Sequence, residues 1–376
     1  MSVFRSRPAL RWLVPSAAAV LVIGGGAAAG TIAASADPSL PARSAAQLLV
    51  DVQNAKIDGL SGTVVETADL GLTALSGLGS GGADIGKLIA GSNTARVWYA
   101  GEDKARVALL GALGETDVIR NGSDVWMWKS ADNSATHYTI PAGAGRGETP
   151  KALPAGVPAT PQEAADAALA AIDPSTRVTT TGAASVAGRD AYELVLSPKD
   201  SASLVGQVRL AIDAKTHVPL RVEVYAKGAN NPAVRVAFQQ ISFTVPDAQQ
   251  FAFNPPAGAK VTTEKPADLQ KEAAKAKANA KAEVRAKKPA DTSGPTVVGT
   301  GWTSVLVAKM PAGNATDKGT VAATAQGLVD GLPKVSGSWG SGHLLSGSLF
   351  SALITDDGKV LIGAVAPEKL YEAAGK

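Results

Sequence analysis

The chain has 376 residues, a net charge of +3, 45% hydrophobic and 18% charged residues, and no cysteine. Without cysteine there can be no disulfide framework, thiol catalysis, zinc finger or lipid-modified cysteine. The small, dispersed positive charge gives no footprint for nucleic acid, because the one basic concentration carries no aromatic side chains to stack on bases.

The N-terminus reads as an export signal. Arg5, Arg7 and Arg11 precede an uncharged apolar run from Leu13 to Ala34, and Ala34-Ser35-Ala36 is a small-x-small cleavage site. Uncleaved, the same run is long enough to serve as an anchor. Residues 1–36 are therefore a signal peptide or N-terminal anchor, and the rest is expected to be extracytoplasmic: secreted, or held at the outer face of the cytoplasmic membrane.

Ser44 to Ile57 places Leu48, Leu49, Val52 and Ile57 at helical spacing behind Ser44 as N-cap. Ser61 to Leu72 reads as a strand. The following stretch, Gly71 to Ser92, mixes glycine with Leu72, Leu75, Leu78, Ile85, Leu88 and Ile89 and has almost no charge. An oily loop of this kind suits a lid resting on an apolar surface, or a short buried helix.

Short strands with clear turns follow: Arg96 to Ala100, Ala105 to Leu110, Thr116 to Arg120, Asp124 to Lys129 and His137 to Ile140. Asn121-Gly122 is a strong hairpin signal. A Gly/Pro-rich loop leads to a second predicted helix, Gln162 to Ile172, capped by Thr160. Trp126 and Trp128 share one parity of their strand, and Trp98 lies on a neighbouring one. They are either ordinary sheet packing or the lining of an apolar ligand cavity.

From Ser175 onward a meander of strands alternates apolar and polar residues. Tyr192, Leu194 and Leu196 share a face, as do Val208, Leu210 and Ile212, and Val218, Leu220, Val222 and Val224. The other parity carries Glu193, Arg209, Arg221 and Glu223. A period of two with one oily face means half-buried antiparallel strands. The apolar parity slips between Phe238 and Ile241, which predicts a bulge near Gln239-Gln240. Leu194, Leu210 and Val222 join the tryptophans as candidates to line the cavity.

Residues 264–295 are a charged Ala/Lys tract with no face to bury, read as a solvated linker. Its lysines make attraction to a membrane surface a secondary possibility. Residues 296–376 form a smaller α+β unit. Its strands are expected at Trp302 to Met310, Trp339 to Leu345, Gly347 to Thr355 and Lys359 to Val365, with helices at Val321 to Leu332 and Pro367 to Ala374. This unit is a candidate to pack on the first domain's open edge.

Catalytic signatures do not emerge. His137, His217 and His343 stand in unrelated contexts, no HExxH or GxSxG occurs, and the Gly77–Gly82 glycines lie beside antiparallel strands, not at a nucleotide-binding turn. No cofactor and no metal ligands are expected.

The run YELVLSP…VRLAID…THVPLRVEVY…FTVPD…FAFNPPAGAKV, with RVWYAGEDKARV and DVIRNGSDVWMW before it, resembles the LolA/LolB-like superfamily of lipoprotein carriers. The RseB/MucB sensor domains share that fold. The resemblance covers roughly Ala42 to Thr263 and implies an incomplete antiparallel barrel for residues 37–263. Helices would cover its concave face over an apolar cavity for acyl chains. It further implies a non-catalytic protein whose partners are a lipid or acylated protein, the cell membrane surface or, in the RseB-like case, a membrane protein such as an anti-sigma factor. This chain departs from a carrier in its charged linker and additional domain.

Overall fold

A computed structural model describes residues 40–72, 90–111, 114–140, 174–264, 296–309, 329 and 331–375. The signal or anchor, the predicted helices Gln162 to Ile172 and most of Val321 to Leu332, and the 264–295 tract beyond Glu264 lie outside these residues.

Helix α1 (Ala45–Asn54) starts where the sequence marks it. The Ser44 hydroxyl accepts from the Gln47 backbone N–H while the Gln47 side chain accepts from the Ser44 N–H, a reciprocal capping box. Eleven strands follow: β1 (Leu60–Asp69), β2 (Ala90–Tyr99), β3 (Lys104–Gly111), β4 (Gly114–Asn121), β5 (Asp124–Lys129), β6 (Ser134–Thr139), β7 (Thr176–Val186), β8 (Arg189–Pro198), β9 (Val205–Asp213), β10 (Pro219–Ala226) and β11 (Pro232–Ser242). Gly122 takes the positive φ of 64° that the β4–β5 hairpin turn needs. Strand β12 (Lys260–Glu264) completes a sheet of twelve strands, ordered β12-β6-β5-β4-β3-β2-β1-β11-β10-β9-β8-β7 and not closed into a barrel.

Two features of this sheet bear on the site. Thr63 pairs with Gln240 and Val64 with Phe238, so Gln239 is left over as a bulge where the apolar parity slips. Strand β12 was absent from the sequence reading. To reach its place, residues 243–259 cross from β11 past β1 to β6, about 34 Å along the sheet at roughly 4.8 Å per strand. There β12 pairs with β6 in parallel, whereas every other pairing among the described residues is antiparallel.

The second sheet contains β13 (Thr296–Val298), β14 (Val305–Lys309), β15 (Lys334–Gly337), β16 (Gly340–Ser346), β17 (Ser351–Thr355) and β18 (Lys359–Gly363), in the order β13-β14-β18-β17-β16-β15. Helix α2 (Pro367–Ala374) buries Leu370, Ala373 and Ala374 against Val305, Leu353 and Leu361. The expected strand at Trp302 to Met310 is shorter because Gly301–Thr303 form a 3-10 turn. Strands β13 and β15 are additional.

The two sheets touch. Trp302 Nε1 donates to Thr176 Oγ1 on edge strand β7 at 2.7 Å, so the smaller unit does reach that edge. It also reaches further: the Leu204 N–H donates to the Ala364 carbonyl and the Ser348 N–H to the Leu70 carbonyl, each at 2.8 Å.

Candidate functional site

The apolar face of the meander is the natural place to look for a cavity, and its occupants are now visible. Leu194, Leu210 and Val222 are buried with Tyr192, Leu196, Val208 and Ile212 in one cluster, into which α1 inserts Leu48 and Val52. Trp302, Leu349 and Ala364 of the smaller unit pack against the same cluster. Leu48, Leu194 and Leu210 have 0% exposure. Side chains of the protein itself therefore fill this part of the face. Leu220 belongs to a second buried cluster, with Val64, Val97 and Val236. It stands at a register shift between Pro219 and Arg221, and Ala191, Ala211 and Phe238 complete its surroundings.

The tryptophans lie on the opposite face. Cross-strand partners project to the same side of a sheet. Leu194 pairs with Leu210, Leu210 with Val222, Val222 with Val236, Val236 with Glu66 and Glu66 with Asn93. Asn93 shares its parity with Val97, so Trp98 points the other way. From Trp98 the pairing passes through Arg106 and Ile119 to Trp126 and His137, while Trp128 pairs with Asp117. The structure thus divides the six cavity candidates into three aliphatic residues under α1 and three tryptophans on the reverse face.

That reverse face is crossed by the connection to β12. Asp247 caps a 3-10 turn at Ala248–Phe251, which packs on β3 and β4 and buries Phe251 to 1% exposure. The Phe253 ring follows, 5.3 Å from Trp126 and 6.2 Å from Trp128 between centroids. Trp126 also stacks on His137 at 4.3 Å, and His137 Nε2 lies 2.8 Å from Asp124 Oδ1. All three tryptophans keep partial solvent exposure.

Beneath the 3-10 turn sits an ion pair. Arg106 stacks over Trp98 at 5.2 Å, donates from Nη2 to Asp117 Oδ2 at 2.5 Å and from Nη1 to the Gln250 carbonyl at 3.4 Å. Asp117 is 1% exposed. Burial, then the neighbouring Glu115 carboxyl, outweigh the attraction of Arg106 and push the Asp117 carboxyl up to about 6. Further along the same face Glu193, Arg209, Arg221, Glu223 and Arg235 form a charged ladder, with Arg221 Nη2 to Glu193 Oε1 at 2.9 Å.

Of the lid candidates, Leu72 is described. It is 8% exposed and lies against the smaller unit, where a Cβ on Gly347 would meet its Cδ2 at 2.9 Å. Leu75, Leu78, Ile85, Leu88 and Ile89 lie outside the described residues. His217 occupies the β9–β10 turn with φ of 58°, and His343 Nδ1 is 3.1 Å from the Leu332 carbonyl. Among the described residues no group of three or more His, Asp or Glu is placed to hold a metal ion, and no helix is long and apolar enough to cross a membrane.

Residues 89–260 match the MucB/RseB N-terminal domain family. Over those residues, fewer than half of the chain, the fold is MucB/RseB-like. The matched span contains the tryptophan face, the ion pair and the crossing segment. Solved structures with weaker likeness include Pseudomonas aeruginosa MucB in its complex with MucA, at 15% identity over 88% of this chain and 96% of that one, with a TM-score of 0.41. A LolA superfamily protein from Nitrosomonas europaea has 10% identity over 56% of this chain and 99% of that one, with a TM-score of 0.23. A lipoprotein-sorting protein domain from Vibrio parahaemolyticus has 12% identity over 55% and 94%, with a TM-score of 0.21. All three scores are below 0.5, and the fold assignment rests on the family match and the strand topology. No curated protein matches the chain.

Proposed function

We propose that this protein is a non-catalytic, extracytoplasmic sensor or regulatory module that binds a membrane-protein partner, such as an anti-sigma factor. In this reading residues 37–263 and 296–376 act as two units joined by the 264–295 tract. The observation that carries it is the occupancy of the meander's apolar face. Leu48 of α1 is fully buried with Leu194 and Leu210, and Trp302, Leu349 and Ala364 of the smaller unit pack beside them. A face already filled by protein suits a body whose two units are held in a set arrangement that a partner can read. The test is capture of the full-length protein from detergent-solubilised membranes. Recovery of one single-pass membrane protein in stoichiometric amount supports the reading; recovery of none, with intact bait, sinks it.

A specific observation favours a second reading, a carrier of lipid or acylated protein. The part-exposed Trp98, Trp126 and Trp128 offer an apolar lining on the reverse face, and burial of an acyl chain is worth about 0.8 kcal/mol per methylene without any catalytic residue. In that case the Gly71 to Ser92 segment acts as a lid. Native mass spectrometry with organic extraction, together with binding of a fluorescent fatty acid that quenches tryptophan emission, tests it. Absence of both lipid and probe binding excludes it.

A further inference from the structure

The segment from Asp247 to Phe253 is a strap across the tryptophan face, and one guanidinium holds both the strap and a buried acid. Arg106 reaches the Gln250 carbonyl with Nη1 and Asp117 with Nη2. Phe251, 1% exposed, and Phe253, between Trp126 and Trp128, complete the cover. Under it the second Asp117 oxygen, Oδ1, has no hydrogen-bond partner among the described residues, and neither do Arg106 Nε and Trp128 Nε1. A buried carboxylate with an empty acceptor position is costly, and its usual resolution is to take up a proton.

We propose that the strap closes over the tryptophan face with uptake of a proton by Asp117, so that acid holds it shut and alkali loosens it. Closing strips water from the carboxylate. The charged groups facing it are Arg106 from β3 and Glu115 two residues along its own strand. Strand β5 brings Trp128, and the strap brings the Gln250 carbonyl and Phe251, none of which titrates in this range. Burial and the Glu115 carboxyl both disfavour the charged form of Asp117, so a single proton relieves both.

The sign follows from linkage. The closed form holds the Asp117 carboxyl at about 6, against 3.8 for an ordinary aspartate, so closure binds a proton that the open form gives up. The advantage of closure is complete below the ordinary value and fades as pH rises through about 6. If the whole displacement belongs to closure, the closed-to-open ratio falls about tenfold between pH 5 and pH 8.

Hydrogen exchange on the full-length, ligand-free protein tests this, with rates at the 248–253 amides corrected for the intrinsic pH dependence of exchange. Opening is expected to be roughly tenfold more frequent at pH 8 than at pH 5, with Asp117→Asn showing no such slope. Arg106→Gln, which keeps the acid and removes the cation, moves the change to higher pH. A strap equally protected at both pH values overturns the proposal, as does an unchanged slope in Asp117→Asn or an unmoved midpoint in Arg106→Gln. That alkali also bares a ligand surface rests on the carrier reading. Exchange without ligand reads the strap alone, and fatty-acid probe binding at pH 8 reads the carrier. A pH-responsive strap without probe binding would end the carrier reading and leave the latch standing.

Discussion

Asp213 shows how a single residue closes a hairpin. Its carboxylate accepts from Arg189 Nε at 2.5 Å and Nη2 at 3.0 Å, and from the backbone N–H groups of Lys215 and Thr216 and the Thr216 hydroxyl. Burial pushes the carboxyl upward, yet the bonds from Arg189 and Thr216 together outweigh it and hold the group below the ordinary aspartate range. A depressed acid contributes stability above its unfolded value, and that stability is lost as pH falls through the lower folded one. Asp213→Asn should therefore lower unfolding free energy by about 2–4 kcal/mol, because Arg189 would be left with a buried, uncharged partner. Urea titration at pH 7 measures the loss, and the gap to wild type should narrow below pH 4. No local pattern around Asp213 reveals Arg189, which stands 24 positions away.

At the level of elements, local pattern was readable wherever the pattern was itself the cause of the structure. The capping box, the Asn121-Gly122 hairpin and the alternation along β8 and β9 are local, and the Gln239 bulge was legible as a parity slip. The strap and β12 were not. KVTTE lacks a continuous apolar parity, and its strand exists because the β6 edge accepts it in parallel, which only the topology dictates. The division of the cavity candidates is likewise non-local, since the parity of β2 relative to β9 depends on every register between them. Gly62 illustrates the tightness of those registers. A Cβ there would sit 2.5 Å from the Gln240 carbonyl oxygen and 2.9 Å from the Phe238 ring, beside the bulge. Gly62→Ala should cost about 1–3 kcal/mol, read as a lower urea midpoint with unchanged slope.

Over the whole molecule, Trp302 joins the smaller unit to the larger sheet through both an apolar and a polar contact. Trp302→Ala should weaken that junction by about 2–3 kcal/mol. The Leu204 amide, which donates to the Ala364 carbonyl, would then exchange faster, while Leu353 in the core of the second sheet keeps its protection. Equal acceleration at both would mean that the two sheets unfold as one cooperative body. If the sensor reading is right, the same variant should also alter capture of the membrane partner.

Val97 and Trp98, at consecutive positions of β2, never meet, because the backbone layer lies between them. In this protein that layer separates two tasks, holding the smaller unit on one side and wearing a strap on the other. Substitutions on opposite sides, more than about 7–10 Å apart and without shared partners, combine almost additively. Each side can thus drift through its own series of neutral changes without disturbing its neighbour. A sheet clothed on both faces offers evolution two nearly independent surfaces for the same investment in one framework.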